Sequence, residues 1–457
     1  MSSSAPSQGK LTEGPVREHL VRLVVPMMVG MVSVITFNLV DTYFVGLLGT
    51  TELAAMSFTF PVVFSFGSFT IGLGVGVMSL VSRAIGSAQT EQVRRLTTDA
   101  LLLALVLVAA FSVVGYLTID PVFRLLGATD AVLPHIRDYM EVWYLGMVFL
   151  VVPMVGNSVI RATGDTKTPA KVMVFAGLIN AVLDPLFIFG LGPLPAFGLK
   201  GAAIATVIGR ACTLVVALWI LVGREHLLDL RPVHPARVLR SWGAALAMGL
   251  PIAGSNIAVP LTTGFVTRLV AEHGEEAVAA FGAASRIEGL ALLPLFSLGA
   301  GLAPFVGQNW GAGQIDRIDE SIALSRRFSF WWGLIAWGGL SVLAVPLAWL
   351  FPDTPGFFRE FTHYLWIAPI GYGLFGMVQV AVSSFNAMGR QLVASALTLF
   401  RAPLLVAAGT LLGGWALGID GVFAGLGVAN VAAGATAIWA MRRACAARRA
   451  SLAAAGA

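Results

Sequence analysis

Charged residues are scarce in this sequence. Asp, Glu, Lys and Arg make up 12% of its 457 residues, whereas hydrophobic residues make up 57%. The charged share is about half of what a soluble globular protein usually carries, and the mean hydropathy is +0.84. A soluble protein could not cover its surface with so few charges. The composition therefore excludes a soluble enzyme, a disordered chain and a nucleic-acid-binding domain.

Several chemical motifs are also missing. The chain has two cysteines, too few for a disulfide framework, and its six histidines lack the spacing of metal ligands. No GxxxxGK[ST] loop is present, which argues against an ATP-driven pump. The first 19 residues are polar and lack the apolar core of a signal peptide, so we expect a cytosolic N-terminal tail. We therefore expect no cofactor and no resident metal.

Long apolar runs, by contrast, are abundant. A bilayer core needs about 20 consecutive apolar residues in helical form, and the sequence contains twelve such runs. We therefore predict an all-α membrane protein with twelve transmembrane helices. The approximate bounds are 20–46, 53–82, 98–118, 138–160, 171–190, 199–222, 241–267, 277–306, 328–350, 362–386, 392–416 and 419–441.

The basic residues predict the orientation of these spans. With the N-terminus placed in the cytosol, twenty-one of the 29 Lys and Arg residues fall in inner segments and five in outer ones. The remaining three, Arg210, Arg286 and Arg401, lie within spans. This excess follows the positive-inside rule. We expect a multi-pass protein of the cytoplasmic (inner) membrane of a prokaryote, with both termini in the cytosol and the lipid bilayer as its surroundings.

The two halves of the chain resemble each other at an offset of 225 residues. Pro26 in LVVPMM matches Pro251 in MGLPIA, and Gly164, which ends RATG, matches Gly389, which ends NAMG. An even number of spans per half gives both halves the same orientation, and such parallel repeats suit alternating access. We therefore predict two pseudosymmetric six-helix lobes. The predicted segments are a tail (1–19), an N-lobe (20–222), a linker (223–240), a C-lobe (241–441) and a second tail (442–457).

Two acidic residues lie inside predicted spans of the N-lobe. Each such carboxylate costs roughly 2.5–3.5 kcal/mol at a helix centre, so they are rare and usually functional. Asp41 lies in FNLVDTYF and Asp184 in GLINAVLDPLF. The matching positions of the second half hold Val266 and Gly409. The asymmetry indicates a cation site in the N-lobe.

Depth and spacing predict which side chains surround the two acids. With a rise of 1.5 Å per residue, Asp41 and Asp184 lie about 7–9 Å below the outer ends of their spans, and Thr206 about 10 Å below. Residues three or four apart share a helix face, which places Asn38 with Asp41 and Asn180 with Asp184. The predicted cluster comprises Asn38, Asp41, Asn180, Asp184, Thr206 and Tyr139, the last from the outer end of span 4.

Such a cluster is expected to bind a coupling cation. Two carboxylates in a low dielectric do not both ionise easily, and a proton relieves this; Na⁺ is the alternative, with oxygens of Asp41, Asn180, Asp184 and Thr206 as ligands. The spacing leaves both ions open. The competing interpretation is structural, with the acids bonding to neighbouring backbone and holding helices together.

Other residues are candidates for weaker reasons. Asn157, Met27, Met31 and Met173 are candidates for a substrate cleft, because Met side chains adapt to varied ligands. Pro26 is expected to kink the first span. Arg286 and Glu288 are two residues apart, so they point to different faces, and Arg210 and Arg401 need partners that the sequence does not identify.

With these residues in view, the chain resembles the multidrug and toxic compound extrusion (MATE) family, in its DinF-like prokaryotic branch. The resemblance rests on Pro26 and Asp41, RATGDTKTP, INAVLDP and GAAIAT, and it covers nearly the whole chain. It implies a secondary active antiporter that expels organic cations, drugs or amphipathic compounds in exchange for H⁺ or Na⁺. It also implies that Asp41 and Asp184 bind the ion, with Tyr139, Asn180 and Thr206 beside them. Another branch uses an acid in span 7, which this chain lacks.

Other functions fit less well. A lipid-linked oligosaccharide or lipid flippase of the same superfamily is the main alternative, but such proteins typically have extra spans and a cationic cleft. Paired transmembrane aspartates also occur in aspartyl proteases, but AVL precedes Asp184 where their GxGD motif would stand. We therefore expect a monomeric transporter of small molecules and no enzyme.

Overall fold

The structure is a computed structural model that describes residues 11–190, 195–229, 231, 235–351 and 354–456. Within these ranges the regular structure is helical and no strand occurs. Twelve of the described helical segments are long and apolar enough to cross a membrane, which confirms the predicted number of spans. The chain is an all-α membrane protein of two six-helix lobes.

Contacts between helices divide the chain into two compact units. The N-terminal unit contains Val25–Leu250, and the C-terminal unit combines Leu11–Val24 with the residues from Pro251 onward. The first helix of each half is therefore divided between the units, one or two residues before Pro26 and directly before Pro251.

The N-terminal unit is built around α5. This helix packs against α2, α3 and α7, while α6 packs against α7. The α5 side chains of Ile136, Met140 and Val155 are fully buried. The helices of the first half are α1 (Val16–Gly46), α2 (Thr50–Gly86), α3 (Thr90–Leu117), α4 (Ile119–Leu125), α5 (Leu133–Ala162), α6 (Lys167–Phe189) and α7 (Leu199–Trp219), which continues as a π-helical turn (Ile220–Arg224).

The C-terminal unit is built around α9 and α12, which pack against each other; α12 also packs against α10 and α15. Its core is aromatic, with Phe361, Tyr364, Tyr372 and Phe423 nearly or fully buried. Its helices are α8 (Pro235–Ala271), α9 (Glu275–Gly311), α10 (Ile315–Ala348), α11 (Pro355–Ile367), a 3-10 turn (Ala368–Gly371), α12 (Tyr372–Ala387), α13 (Gln391–Leu399), a π-helical segment (Phe400–Val406), α14 (Ala407–Leu417) and α15 (Ile419–Gly456).

Two matching glycines of the internal repeat, Gly164 and Gly389, end helices in a backbone conformation that favours glycine. Gly164 follows α5 with φ of 91°, and Gly389 follows α12 with φ of 78°. Side chains disfavour this left-handed backbone, so glycine is the default residue for such a helix end. The sequence match between RATG and NAMG therefore reflects the same turn in both units.

Large apolar side chains cover much of the surface. Leu125 and Trp415 are each 89% exposed and Val342 is 77% exposed. Lipid tails solvate such side chains as well as a protein core does, so this surface suits a bilayer.

The helices extend beyond the predicted segment ends. α1 begins at Val16, inside the predicted tail, whose residues 1–10 lie outside the described part of the chain. α8 begins at Pro235, inside the predicted linker, of which residues 230 and 232–234 are likewise not described. α15 continues to Gly456 through the predicted second tail. Hydropathy detects only the part of a helix that lies in hydrocarbon, whereas these helices continue with polar residues.

Candidate cation-binding site

Asp41 and Asp184 lie near each other in the N-terminal unit. Asp41, in the last part of α1, is 9% exposed, and Asp184, near the end of α6, is fully buried. The two carboxylates are close enough to interact electrostatically. Asp41 Oδ1 is buried and has no hydrogen-bond partner among the described residues. Because an unmet buried carboxylate oxygen is costly, the arrangement calls for a cation.

Asn180 and Thr206 connect this acid pair to α7. Asn180 is 3% exposed and precedes Asp184 by one helical turn. With its amide oriented so that both ends meet complementary partners, the nitrogen donates to both Asp184 oxygens, at 2.7 and 3.1 Å. The amide oxygen then accepts from the Thr206 hydroxyl at 3.3 Å. Asn180 therefore presents a donor, and not its oxygen, to the acids.

Tyr139 closes the cluster from α5. It is 8% exposed, and Asp41, Asp184 and Arg210 all lie within electrostatic range of its hydroxyl. Arg210 is a half-buried cation of α7 for which the sequence identified no partner. Arg210 follows Thr206 by four residues, so both side chains lie on one face of α7. This spacing could have placed Arg210 beside the cluster from the sequence alone.

Asn38 lies in different surroundings from the other predicted members of the cluster. It is exposed, and its side chain makes no hydrogen bond among the described residues. Only its backbone oxygen is used, accepting from Thr42 Oγ1 at 2.8 Å. Asn38 and Asp41 are three residues apart in one helix, as predicted. Their side chains nevertheless diverge enough that Asp41 is buried and Asn38 is exposed.

The candidate cleft residues lie in different surroundings. Met27 is 2% exposed and so offers no surface to a ligand in this structure, whereas Met31 and Met173 are half-buried. Met173 packs against Gly30, where its sulfur would lie 3.0 Å from an added Cβ. Asn157, in α5, is half-buried, and its Oδ1 has no partner among the described residues. Asn157 therefore keeps an unused acceptor, as a ligand-binding residue would.

Taken together, the acid cluster can hold one monovalent cation. It offers two carboxylates, one hydroxyl and one phenol in a buried setting where a second negative charge is poorly tolerated. Binding a proton or Na⁺ neutralises the pair, and releasing it restores the repulsion.

Comparison with known proteins gives consistent matches over most of the chain. The family model MatE matches residues 26–186 and again residues 251–411, which reproduces the internal repeat. A relative from Shewanella oneidensis named FAD transporter is 36% identical over 435 residues, covering 95% of this chain and 96% of its own. A relative from Bacillus subtilis named probable multidrug resistance protein YoeA is 28% identical and covers 77% of each chain. The crystal structure of the Vibrio cholerae MATE transporter VcmN in the bent form superposes with a TM-score of 0.89, at 30% identity, and covers 95% of this chain and 98% of its own.

Proposed function

Since this chain belongs to the MATE family of membrane transporters, we propose that it is a secondary active efflux antiporter that couples export to an ion bound by Asp41 and Asp184. The observation that carries the proposal is the buried, unpartnered oxygen of Asp41 beside the buried carboxylate of Asp184. A purely structural pair of acids would be expected to satisfy its own oxygens. An exchangeable cation supplies what the protein leaves unmet.

The coupling ion that we favour is H⁺. A proton requires no ligand shell, whereas Na⁺ requires several oxygens directed at one point. In the amide orientation that satisfies both ends, Asn180 donates to Asp184 and its oxygen accepts from Thr206, which leaves that oxygen engaged and not directed at a Na⁺ ion. Two neighbouring carboxylates also favour shared protonation.

The substrates that we propose are organic cations and amphipathic drugs, in line with the relatives named as multidrug proteins. FAD is the second candidate, because the relative with that name matches 95% of this chain at 36% identity. A further observation favours it. Arg210, a half-buried guanidinium of a membrane span with no ion pair among the described residues, could attract a phosphate group.

We also propose the oligomeric state, the membrane and the orientation of the protein. We propose a monomer in the cytoplasmic membrane of a prokaryote, with both termini in the cytosol, on the strength of the excess of Lys and Arg in the inner segments. Fusion of alkaline phosphatase or green fluorescent protein to the C-terminus tests the orientation. Active phosphatase with dark fluorescent protein would contradict it.

Transport into proteoliposomes tests the function. The purified protein is reconstituted, and either a pH gradient or a Na⁺ gradient is imposed alone, with a cationic rhodamine dye or FAD as the fluorescent probe. We expect the pH gradient to drive transport and the Na⁺ gradient not to. Transport with Na⁺ alone would overturn the preference for H⁺, and transport of neither probe with either gradient would overturn the function.

The membrane potential separates the two substrate classes. One-for-one exchange of H⁺ for a monovalent cation moves no net charge, so the potential, worth about 2.3 kcal/mol per charge per 100 mV, contributes nothing. Export of anionic FAD against H⁺ moves charge and should respond to a potassium–valinomycin clamp. The same vesicles therefore identify which class the site serves.

A further inference from the structure

A further intramembrane carboxylate lies in the C-terminal unit, at Glu288 of α9, and it is half-buried. The hydroxyl of Tyr364 in α11 donates a hydrogen bond to Glu288 Oε2. The buried hydroxyl of Tyr372, the first residue of α12, is also within hydrogen-bonding reach of the Glu288 carboxylate, although its alignment falls short of a well-formed hydrogen bond. Glu288 thus has one well-aligned phenol and a second, poorly aligned phenol beside it.

A guanidinium faces this carboxylate without touching it. Arg401 is close enough to interact with Glu288 electrostatically. None of the ion pairs formed by the described residues joins the two, however. Arg401 Nη1 instead donates to Asn430 Oδ1 at 3.0 Å, and its guanidinium lies 4.8 Å from the centre of the Phe375 ring. These contacts support its positive charge independently of Glu288.

The backbone around this cluster is irregular. Arg401 lies in the π-helical segment Phe400–Val406, and Tyr372 directly follows the 3-10 turn Ala368–Gly371. Such departures from α-helix occur often at functional sites because they redirect side chains. Two of them lie beside the Glu288 carboxylate.

The cluster is related to the acid site of the N-terminal unit but is not a copy of it. Tyr364 matches Tyr139 at the repeat offset, whereas the positions that match Glu288 and Arg401 are Val63 and Ala176. The acid therefore enters from a different helix, and it has a built-in counter-ion that the N-terminal acids lack. A site with its own cation does not require Na⁺ or an organic cation for neutrality.

We propose that Glu288 is a second proton-binding site of this protein, with Arg401 as its counter-ion when it is ionised and Tyr372 as its hydrogen-bond partner when it is protonated. In the protonated form a new O–H bond at the carboxyl group donates to the Tyr372 hydroxyl, while Tyr364 still donates to the other oxygen. Arg401 keeps Asn430 and Phe375 in both forms. Glu288 therefore has a partner in each protonation state, which makes the cluster a two-state element.

The counter-ion favours a proton as the ligand, because a carboxylate that faces Arg401 needs no second cation for neutrality. The two phenols beside it are buried, with Tyr364 1% exposed and Tyr372 0% exposed. The charged and titratable groups that face Glu288 are Tyr364, Tyr372 and Arg401. Arg286, two residues away on the same helix, is exposed and belongs to another face.

Buried hydroxyls of α10 belong to the same proposal, as a route for the proton. Ser329 of α10 lies against Gly376, one turn along α12 from Tyr372; its oxygen would be 2.7 Å from a Cβ added there. Ser325 is one turn from Ser329 on α10. Both serine hydroxyls, like that of Tyr372, are buried and have no partner among the described residues. Buried hydroxyls of this kind are commonly bridged by ordered water, which can relay protons.

Infrared difference spectroscopy tests the proposal without any transport assay. The full-length protein in lipid bilayers is titrated through the neutral range, and the C=O stretch of protonated carboxylic acids is followed. We expect one band to appear on acidification, to vanish in Glu288→Gln, and to persist both in the Asp41→Asn/Asp184→Asn protein and in Glu272→Gln, an exposed acid of the same unit. A wild-type spectrum with no band that depends on Glu288 would overturn the proposal.

A second set of variants separates proton binding from a structural charge pair. If the pair only holds helices together, Glu288→Gln should lower the melting temperature and Glu288→Gln/Arg401→Gln should recover it, with wild-type proton uptake in the double variant. We expect instead that Glu288→Gln melts close to wild type and that both variants bind one proton fewer per protein. The Glu288 proposal does not depend on the N-terminal ion site. Loss of export in Asp41→Asn, with the Glu288 infrared band intact, would therefore not contradict it.

Discussion

Tyr139 and Tyr364 occupy matching positions of the internal repeat, and each is buried beside carboxylates of its own unit. Tyr139 faces Asp41 and Asp184, whereas Tyr364 donates to Glu288. Both phenols lie 8% or less exposed. The repeat has therefore kept the phenol in both units, while the acids beside it have come from different helices.

The N-terminal acids give the most direct prediction. We expect Asp41→Asn and Asp184→Asn each to abolish gradient-driven export, because each removes the charge that binds the ion while keeping side-chain volume. The double variant should be no worse than either single variant, since both residues serve one site and their effects are not additive. Dye transport in proteoliposomes under a pH gradient measures this.

The control is Asp130→Asn, which changes an acid of the same unit whose side chain is 84% exposed. It should export like wild type. Wild-type export by well-folded Asp41→Asn protein would contradict the proposed coupling through Asp41, but it would leave the fold unaffected. Loss of expression in the variants, with normal transport by the protein that remains, would favour the structural interpretation.

A second prediction concerns the prolines at the unit boundary. Pro26 and Pro251 each lie inside a long helix, next to the point at which that helix passes from one unit to the other. Proline removes a helix hydrogen bond and permits a bend. Only α1 also carries Asp41, the acid that we propose binds the ion, fifteen residues on. We therefore expect Pro26→Ala to impair export more than Pro251→Ala, as measured by initial rates at matched protein amounts. Equal losses would assign both prolines a purely structural role.

The sequence predicted the N-terminal site better than the C-terminal one, for a physical reason. Asn180 and Asp184 are one turn apart on one helix, and depth in the bilayer aligned them with Asp41 and Thr206. Helical spacing and span ends are both readable from a sequence. Asn38, placed by the same reasoning, is exposed where Asp41 is buried, because two side chains on one helix face still differ in what packs over them.

The Glu288 cluster could not be read in this way. Its members come from four helical segments, and Glu288 and Tyr364 are 76 residues apart. Only the packing of α9 against α11 and α12 brings them together. Hydropathy also could not predict the π-helical and 3-10 segments that direct Arg401 and Tyr372. The twelve spans, in contrast, follow from length and apolar content alone, and they are confirmed.

A third prediction concerns the contact between α14 and α15. Gly413 and Gly421 face each other so closely that a Cβ at Gly421 would lie 1.8 Å from Gly413 O, and one at Gly413 would lie 2.0 Å from Gly421 O. Because the obstacle is backbone, the helices must separate to admit a methyl group. We expect Gly421→Ala to destabilise the protein by about 1–3 kcal/mol, the usual cost of overpacking. The thermal unfolding midpoint in detergent, together with the yield of monodisperse protein, measures the effect.

The matched control is Gly338→Ala in α10, where an added Cβ meets nothing within 4 Å. Alanine is a better helix former than glycine, so this variant should melt at or above the wild-type temperature. A Gly421→Ala protein as stable as Gly338→Ala would mean that the close approach of α14 and α15 is not needed for stability.

The last prediction concerns the ion pair between Asp165 and Arg224. Asp165 lies between the spans α5 and α6, where its carboxylate accepts from the Thr168 backbone N–H at 3.0 Å and from the Thr168 hydroxyl at 2.6 Å. Arg224, at the end of the π-helical turn after α7, also donates to it. Partial burial alone would raise the pKa of Asp165, but the bonds from Thr168 and Arg224 outweigh it and lower that pKa below its ordinary value.

A lowered folded pKa means that Asp165 stabilises the protein above its unfolded pKa of about 3.9. That contribution disappears as the pH falls through the lower folded value. Since Arg224 is 44% exposed, water screens the pair, and we expect Asp165→Asn to cost only about 1 kcal/mol at neutral pH. The difference in melting temperature between wild type and variant should shrink on acidification below about pH 4.

The control is Asp316→Asn, which changes a side chain that is 94% exposed in its pair with Arg449. It should melt like wild type at either pH. A gap between wild type and Asp165→Asn that persists unchanged in acid would show that the asparagine disturbs packing and that the charge of Asp165 is not what stabilises this junction.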